Sequence, residues 1–478
     1  MGDGVRDQAR AGELDHRADL VAALREALLG RDAVLAGSLE QFAAAEGGKK
    51  GIGSRNVTSV DAEFLRQLNE WRDLLARAIA NRNPGLSGRD LNFAVQQTLD
   101  RLIFLRIAED RAIEPYGRLR DLTTGPGTFD QLLRYFYEAD NKYDSGLFHF
   151  ADEKGRAGIA DRLTPSLTID DRPLKDIIRR LYYPESPYEF SAIPAEILGQ
   201  IYEQFLGQVI RLDQDHRALV EDKPEVKKAG GVKYTPAYIV EAIVKKTLGP
   251  SLEGRTARQA SEISVLDPAC GSGSFLIVAY QYLLDWHRDW YVQHLLPLIE
   301  RGSRPSSPEI RRLLPETEAS GRGRKRDAEL PIYQARDGEW RLTTAERKRI
   351  LLSNIYGVDI DRQAVEVTKL SLLLKVLEGE NEETISKQLT LFQERALPDL
   401  GENIKCGNSL IGWDILEDNP GLGQEEIERI NPFDWEREFS EVFRRGMFNI
   451  IIGNPPYHSV KLMDEISKKY FYKKYSVG

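Results

Sequence analysis

The tetrapeptide Asn454-Pro455-Pro456-Tyr457 follows the apolar run 448–452. An asparagine side-chain oxygen and the carbonyl of Pro455 can together accept both hydrogens of one amino group. An exocyclic amine on an aromatic ring is a poor nucleophile, because its lone pair is delocalised into the ring. Two acceptors aimed at its hydrogens favour a pyramidal nitrogen whose lone pair is free to attack. Pro455 and Pro456 fix the backbone, so those acceptors are placed before anything binds. Tyr457 adds a flat face on which a planar base can stack. The same four residues also read as a rigid turn after a strand.

Three further clusters follow strand-like segments. Asp267-Pro268-Ala269-Cys270-Gly271-Ser272-Gly273 lies between the run 263–266 and a long helical pattern. Gly271 and Gly273 let a tight turn approach a ligand without Cβ interference. Asp267 can accept from an ammonium group, while the following helix N-terminus favours a carboxylate. No Gly-Lys-Ser/Thr follows, so this is not a phosphate loop. In Gly357-Val358-Asp359-Ile360-Asp361, an acid at a strand end can hold ribose hydroxyls. Asp359 is the better candidate, since Asp361 can cap the next helix; both acids can also be purely structural. In Cys406-Gly407-Asn408-Ser409-Leu410, the Asn408 amide can donate to adenine N1 and accept from its amino group, or simply close a turn.

The elements that must position these residues are legible in the spacing. Strands are expected at 263–266, 355–360, 403–406 and 448–452. Helices are expected from Ser274 to about Leu296 and from Asp361 to Gly379. This alternation predicts a parallel, doubly wound α/β sheet of the Rossmann-like kind, with ligand residues along its carboxyl edge. The N-terminal half reads as mainly helical. Phe64, Leu68, Trp71, Leu75 and Ile79 share one face. A second helix is expected to bury Val95, Leu99, Leu102, Ile103 and Leu105 and to expose Arg106, Glu109 and Asp110. The pattern weakens into short segments over 125–194, and 195–212 reads as a third helix, with Ile197, Ile201, Phe205 and Val209 on one side. Residues 1–55 read as a flexible tail, 56–228 as the helical domain and 229–478 as the α/β domain, with a charged insertion near 300–348.

Taken together, the motifs resemble those of adenine-N6 DNA methyltransferases. Residues 267–273 are similar to that family's cofactor motif, and Asn454-Pro455-Pro456-Tyr457 to its catalytic motif. Gly231-Val232-Lys233-Tyr234-Thr235-Pro236 resembles the segment closing over the cofactor, with Thr235 at the contacting position. The motif order is the gamma arrangement. The helical region, including Glu196-Ile197-Leu198-Gly199-Gln200-Ile201-Tyr202-Glu203, looks like the part preceding the methylase in large restriction-linked, type IIG-like enzymes. The resemblance implies S-adenosylmethionine bound by Thr235, Asp267, Ala269, Cys270, Gly271, Gly273, Asp359 and Asn408, and no metal. It further implies double-stranded DNA as partner, with an adenine flipped onto Tyr457 and its amine held by Asn454 and Pro455. Many relatives carry Asp at the Asn408 position. The chain stops about twenty residues after Tyr457, so a methylase sheet lacking its last strands and recognition domain is expected.

Composition bounds the alternatives. At 41% hydrophobic and 29% charged, the 478 residues are those of a soluble globular protein of two or three domains. Neither a signal peptide nor a membrane-spanning run is visible, so a cytoplasmic location is expected. The two cysteines form no disulfide framework. A net charge of −9 is not that of a protein gripping DNA over its whole surface, but the relevant quantity is a local patch. Arg322, Arg324, Lys325 and Arg326 form one basic stretch, which also reads as a solvated insertion. No Pro-Asp…Glu-x-Lys nuclease set appears, so any nuclease or other defence-system subunit would lie elsewhere. Two rivals stand beside the adenine reading: a methyltransferase for cytosine N4, an RNA base or a protein glutamine, and a non-catalytic DNA-binding subunit.

Overall fold

The computed structural model describes residues 59–143, 146–152, 160–186, 188–223, 235–305, 307–315, 330–335, 338–380, 397–455 and 463–475. The expected tail at 1–55, Gly231 to Tyr234, the basic stretch at Arg322 to Arg326, and Pro456 and Tyr457 lie outside them.

The helical half contains α1 (Ser59–Arg82), α2 (Gly88–Asp110), α3 (Thr128–Tyr143), α4 (Asp171–Arg179) and α5 (Ala195–Leu206). Helix α2 is buried along almost its whole length, on every side. This corrects the expected exposed face: Arg106 and Glu109 are buried, and Asp110 is largely covered. Tertiary partners far along the chain make that burial tolerable. Arg106 pairs with Asp110, donates to the Leu181 carbonyl at 2.8 Å, and lies 4.3 Å from the Tyr182 ring centre. Glu109 accepts from the backbone of Gly117 and Leu119 and from the Tyr182 hydroxyl at 2.6 Å. A buried charge persists only when so paired.

Two other expectations are corrected. The stretch 125–194 holds the 16-residue α3, whose buried stripe of Phe129, Leu132, Tyr135, Phe136, Ala139 and Tyr143 is largely aromatic. The run 195–212 is not one helix. Helix α5 stops before Gly207, and β1 (Gln208–Leu212) turns back against β2 (Ala218–Asp222) as an antiparallel hairpin. Val209 therefore faces Glu221 across a ladder instead of extending the helix face.

Beyond α6 (Ala237–Leu252), the chain builds β3 (Val265–Asp267), α7 (Ser274–His294), a small hairpin of β4 (Ile332–Gln334) and β5 (Trp340–Leu342), α8 (Thr344–Asn354), β6 (Ile355–Asp359), α9 (Arg362–Val376), β7 (Ile404–Cys406), β8 (Ile450–Ile451) and α10 (Glu465–Tyr475). The four expected strands form one parallel sheet in the order β7-β6-β3-β8. Successive residues serve opposite faces, as a pleated strand requires. Val265, Ile355, Ile404 and Ile450 join the large core that includes α7 and α9. Leu266, Tyr356 and Val358 meet an aromatic layer of Phe433, Phe439, Trp435 and Phe448. The sheet is thus covered on both sides, which is why its strands are nearly all apolar.

The large core runs without a break from Phe64 on α1 to Ile452 after β8. Helix α5 packs closely on α9 and also touches α7. The expected division at residue 229 falls within the undescribed stretch 224–234. Among the described residues no helix is long and apolar enough to cross a membrane.

Candidate active site

Register brings the expected site residues to one edge. Asp267 at the end of β3 pairs with Gly357, two residues before Asp359, and Asp359 at the end of β6 pairs with Cys406. The loops after β3, β6, β7 and β8 therefore leave the sheet side by side.

The glycine loop is tied down by backbone bonds. The Cys270 amide donates to the Val358 carbonyl at 2.9 Å, and the Gly273 amide to the Cys270 carbonyl at 2.8 Å. Gly271 and Gly273 have φ of +54° and +86°, in the left-handed region that favours glycine. A Cβ on Gly273 would also lie 2.9 Å from Thr368 Cγ2, so α9 packs directly against the loop. Thr368 Oγ1 donates to the Gly271 carbonyl at 2.8 Å. Cys270 is buried, and burial pushes its thiol well above the usual range. Its side chain is a packing group, not a nucleophile.

Of the two acids, Asp267 is buried and Asp359 half-buried, and both are hydrogen-bonded to backbone amides. Asp267 is 2% exposed and accepts from the Ala269 amide at 3.1 Å through Oδ1. Among the described residues its other oxygen takes no hydrogen bond. Burial first, and then the charge of Asp359, push its carboxyl up to about 8. Asp359 accepts from the Gly271 amide and the Asp361 amide, each at 2.8 Å. Burial raises it to about 6, against those two bonds. Asp361 caps α9 as expected, accepting from the Gln363 amide at 2.9 Å, and it also pairs with Lys223. Two carboxylates close enough for the charge of one to raise the other, Asp267 buried and Asp359 half-buried with the Lys223–Asp361 pair beside it, form a site suited to a positively charged ligand.

Asn408 sits at this edge, but its amide is partly committed. Nδ2 donates to the Ile430 carbonyl and Oδ1 accepts from the Leu410 amide, both at 3.1 Å. These bonds close the turn that the sequence offered as an alternative. One amide hydrogen and one lone pair are left over. Next to it, Ser409 donates to the Pro268 carbonyl and so ties the third loop to the first.

The catalytic corner reaches the same place. Gly453, after β8, approaches Asp267 so closely that a Cβ would lie 2.5 Å from Oδ1. Asn454 is exposed, and its Nδ2 donates to Thr235 Oγ1 at 2.9 Å. Pro455 follows it at the rim. The segment before the sheet and the corner after its last described strand are thereby joined. Four residues absent from the expected site take part: Glu203, Ser272, Thr368 and Ser409. Ser272 and Ser409 lay inside the recognised motifs, but Thr368 is an unremarkable helix residue and had no local signal.

Two family models match the chain: "N-6 DNA Methylase" over residues 194–293 and "Eco57I restriction-modification methylase" over residues 353–478. The type II restriction enzyme and methyltransferase RM.Eco57I of Escherichia coli is 31% identical over 411 residues, 86% of this chain. The chain is homologous to restriction-linked adenine methylases.

The adenine-specific methyltransferase PglX of Streptomyces coelicolor is 22% identical over 51% of the chain. This methylase homologue spans 35% of the length of RM.Eco57I and 16% of that of PglX. Among solved structures, the type IIL restriction-modification enzyme MmeI in complex with DNA aligns at a TM-score of 0.42 and 15% identity, covering 86% of this chain and 45% of that one. The first family match begins at residue 194, so it includes helix α5 with the glycine loop.

Proposed function

We propose that this chain transfers a methyl group from S-adenosylmethionine to N6 of adenine in double-stranded DNA, within a cytoplasmic restriction-modification or phage-defence system that includes a nuclease. The observation that carries this reading is the contact of Gly453 with Asp267. It sets the amine-binding corner directly beside the acid suited to a cationic cofactor.

The residues present fit that cofactor. Asp267 offers an uncommitted carboxylate oxygen to an ammonium group, Gly271 and Gly273 leave no Cβ at two turns of the loop, and the N-terminus of the 21-residue helix α7 faces a carboxylate favourably. Asp359 would hold the ribose hydroxyls, and Asn408 would hold the cofactor's adenine with its remaining amide hydrogen and lone pair. Ala269 and Cys270 contribute backbone, because the Cys270 side chain is buried. When bound, S-adenosylmethionine supplies a methyl group already activated by a sulfonium leaving group.

Everything else is done by the chain's own residues. Asn454 Oδ1 and the Pro455 carbonyl accept the two amine hydrogens of an extruded adenine and free its lone pair. Thr235 holds the Asn454 nitrogen, which leaves the amide oxygen for the substrate. Pro456 stiffens the corner and Tyr457 stacks on the base.

The test is transfer of labelled methyl from S-adenosylmethionine to duplex DNA, with the modified base identified. We expect N6-methyladenine from the wild type. Asn454→Ala should lower the rate by at least a hundredfold, with cofactor affinity within about threefold of wild type. Label on cytosine N4 or on protein, or an unimpaired Asn454→Ala variant, would overturn the assignment.

A further inference from the structure

Helix α5 meets the glycine loop through one hydrogen-bonding side chain. Glu203 Oε2 accepts from Ser272 Oγ at 3.2 Å. Ser272 is 1% exposed and stands between the two positive-φ glycines. Its Oγ is also 3.3 Å from Ser274 Oγ, on the first residue of α7. A chain of groups therefore runs from the start of α7, through the middle of the loop, to α5.

The packing around this bond is close. A Cβ on Gly199, one turn before Glu203, would lie 3.6 Å from both the Ser272 carbonyl oxygen and Ile277 Cδ1. Tyr202, the preceding residue, is fully buried and donates to Asp100 of α2 at 2.7 Å. Glu203 is thus fixed from the helical side by its neighbour and directed at the loop from behind. The Asp359 carboxylate, bound to the Gly271 amide, lies near enough to repel it. Burial and that repulsion push Glu203 up to about 7. Keeping such an acid at this place costs stability, which its one bond to Ser272 offsets only in part.

We propose that Glu203 is a positioning residue for the cofactor loop: by holding Ser272, it fixes residues 271–274 in the shape that receives the cofactor's amino-acid end. Its placement makes occupancy of the methylase site sensitive to the packing of the helical region. This rests on the methylase reading above. The serine is the donor, so an amide oxygen at position 203 serves nearly as well as a carboxylate.

Two measurements on the whole chain test it. The first is S-adenosylmethionine binding by calorimetry; the second is hydrogen exchange of the 271–274 amides in the ligand-free protein. Glu203→Ala should weaken binding about tenfold and speed exchange in the loop. Glu203→Gln should stay within about threefold of wild type in both. Ser272→Ala should match Glu203→Ala, and the double variant should be no worse than either single one. Should Glu203→Ala fail to fold, Ser272→Ala and Glu203→Gln decide. Wild-type affinity and loop protection in Glu203→Ala or Ser272→Ala, additive effects, or Glu203→Gln as impaired as Glu203→Ala would each overturn the role. Loop protection that depends on Glu203 in a wild type unable to bind S-adenosylmethionine would sustain the coupling and reject the methylase reading instead.

Discussion

Asn454, three residues beyond the end of β8, donates its amide hydrogen to Thr235 Oγ1 at 2.9 Å, across 219 residues of chain. An asparagine amide is pseudo-symmetric and can present either oxygen or nitrogen to a substrate amine. Under the proposed function only the oxygen is useful there, and the orientation found, with the nitrogen donating to Thr235, leaves the oxygen for the amine.

Replacing Thr235 tests this arrangement. Thr235→Val keeps the shape but removes the acceptor, and Thr235→Ser restores it. With one hydrogen bond worth about 1 kcal/mol, kcat for methyl transfer should fall roughly five- to tenfold in the valine variant and recover in the serine variant. A loss confined to cofactor affinity, with kcat unchanged, would place Thr235 on the cofactor alone.

Asp267 makes a prediction about pH. Its folded carboxyl stands at about 8 against an ordinary 3.8, so the folded chain holds this proton more tightly than the unfolded one. Its favourable contribution is therefore fully present below about pH 4 and is lost as pH rises toward 8. Asp267→Asn removes that loss. In the ligand-free protein at pH 8 the variant should be more stable than wild type by on the order of 1–3 kcal/mol, with a smaller difference near pH 5, while cofactor binding is lost. Melting temperatures recorded across that range decide it; parallel curves would contradict the assignment.

Gly453 has no room for a side chain. In Gly453→Ala the new Cβ would meet Asp267 Oδ1 at 2.5 Å and Cγ at 3.1 Å, and Asp267 is buried at a strand end where it cannot retreat. The corner must move, so transfer should fall by a hundredfold or more and stability by about 2 kcal/mol. Gly421→Ala, where nothing lies within 4 Å, is the control and should behave as wild type. Normal transfer in Gly453→Ala would show that the two loops do not touch during the reaction.

Burial of Arg106 distinguishes the helical half from a merely amphipathic layer. Arg106→Ala would leave Asp110 and Glu109 short of their counter-charge inside the core, at a cost of about 3–5 kcal/mol. Arg66→Ala, which removes an exposed pair with Glu70 on α1, should leave the urea midpoint unchanged. Equal midpoints for the two variants would refute the buried network.

Much of this architecture was legible without coordinates. The four strands, the glycine turn at Gly271 and Gly273, the helix cap at Asp361 and the α/β order follow from local rules: apolar runs of strand length, glycine where φ is positive, and an acid before a helix. Arg106 and Glu109 were misplaced because a charge is read as solvent-facing unless its partner is known. Their partners, Leu181 and Tyr182, lie more than seventy residues away. The break at Gly207 was hidden because Val209 and Ile210 suit a helix face and a strand equally well.

What the sequence by itself determined is the chemistry on offer: an asparagine–diproline corner, a glycine loop with its acid, and a second acid at a strand end. Residue type and short spacing are enough for that, since each motif is a local backbone shape. Only the tertiary structure decided that Gly453 presses on Asp267, that Thr235 orients Asn454, and that Glu203 reaches Ser272. These contacts join segments far apart in the chain, and their existence depends on strand order and helix packing, which the whole core fixes and no local pattern encodes.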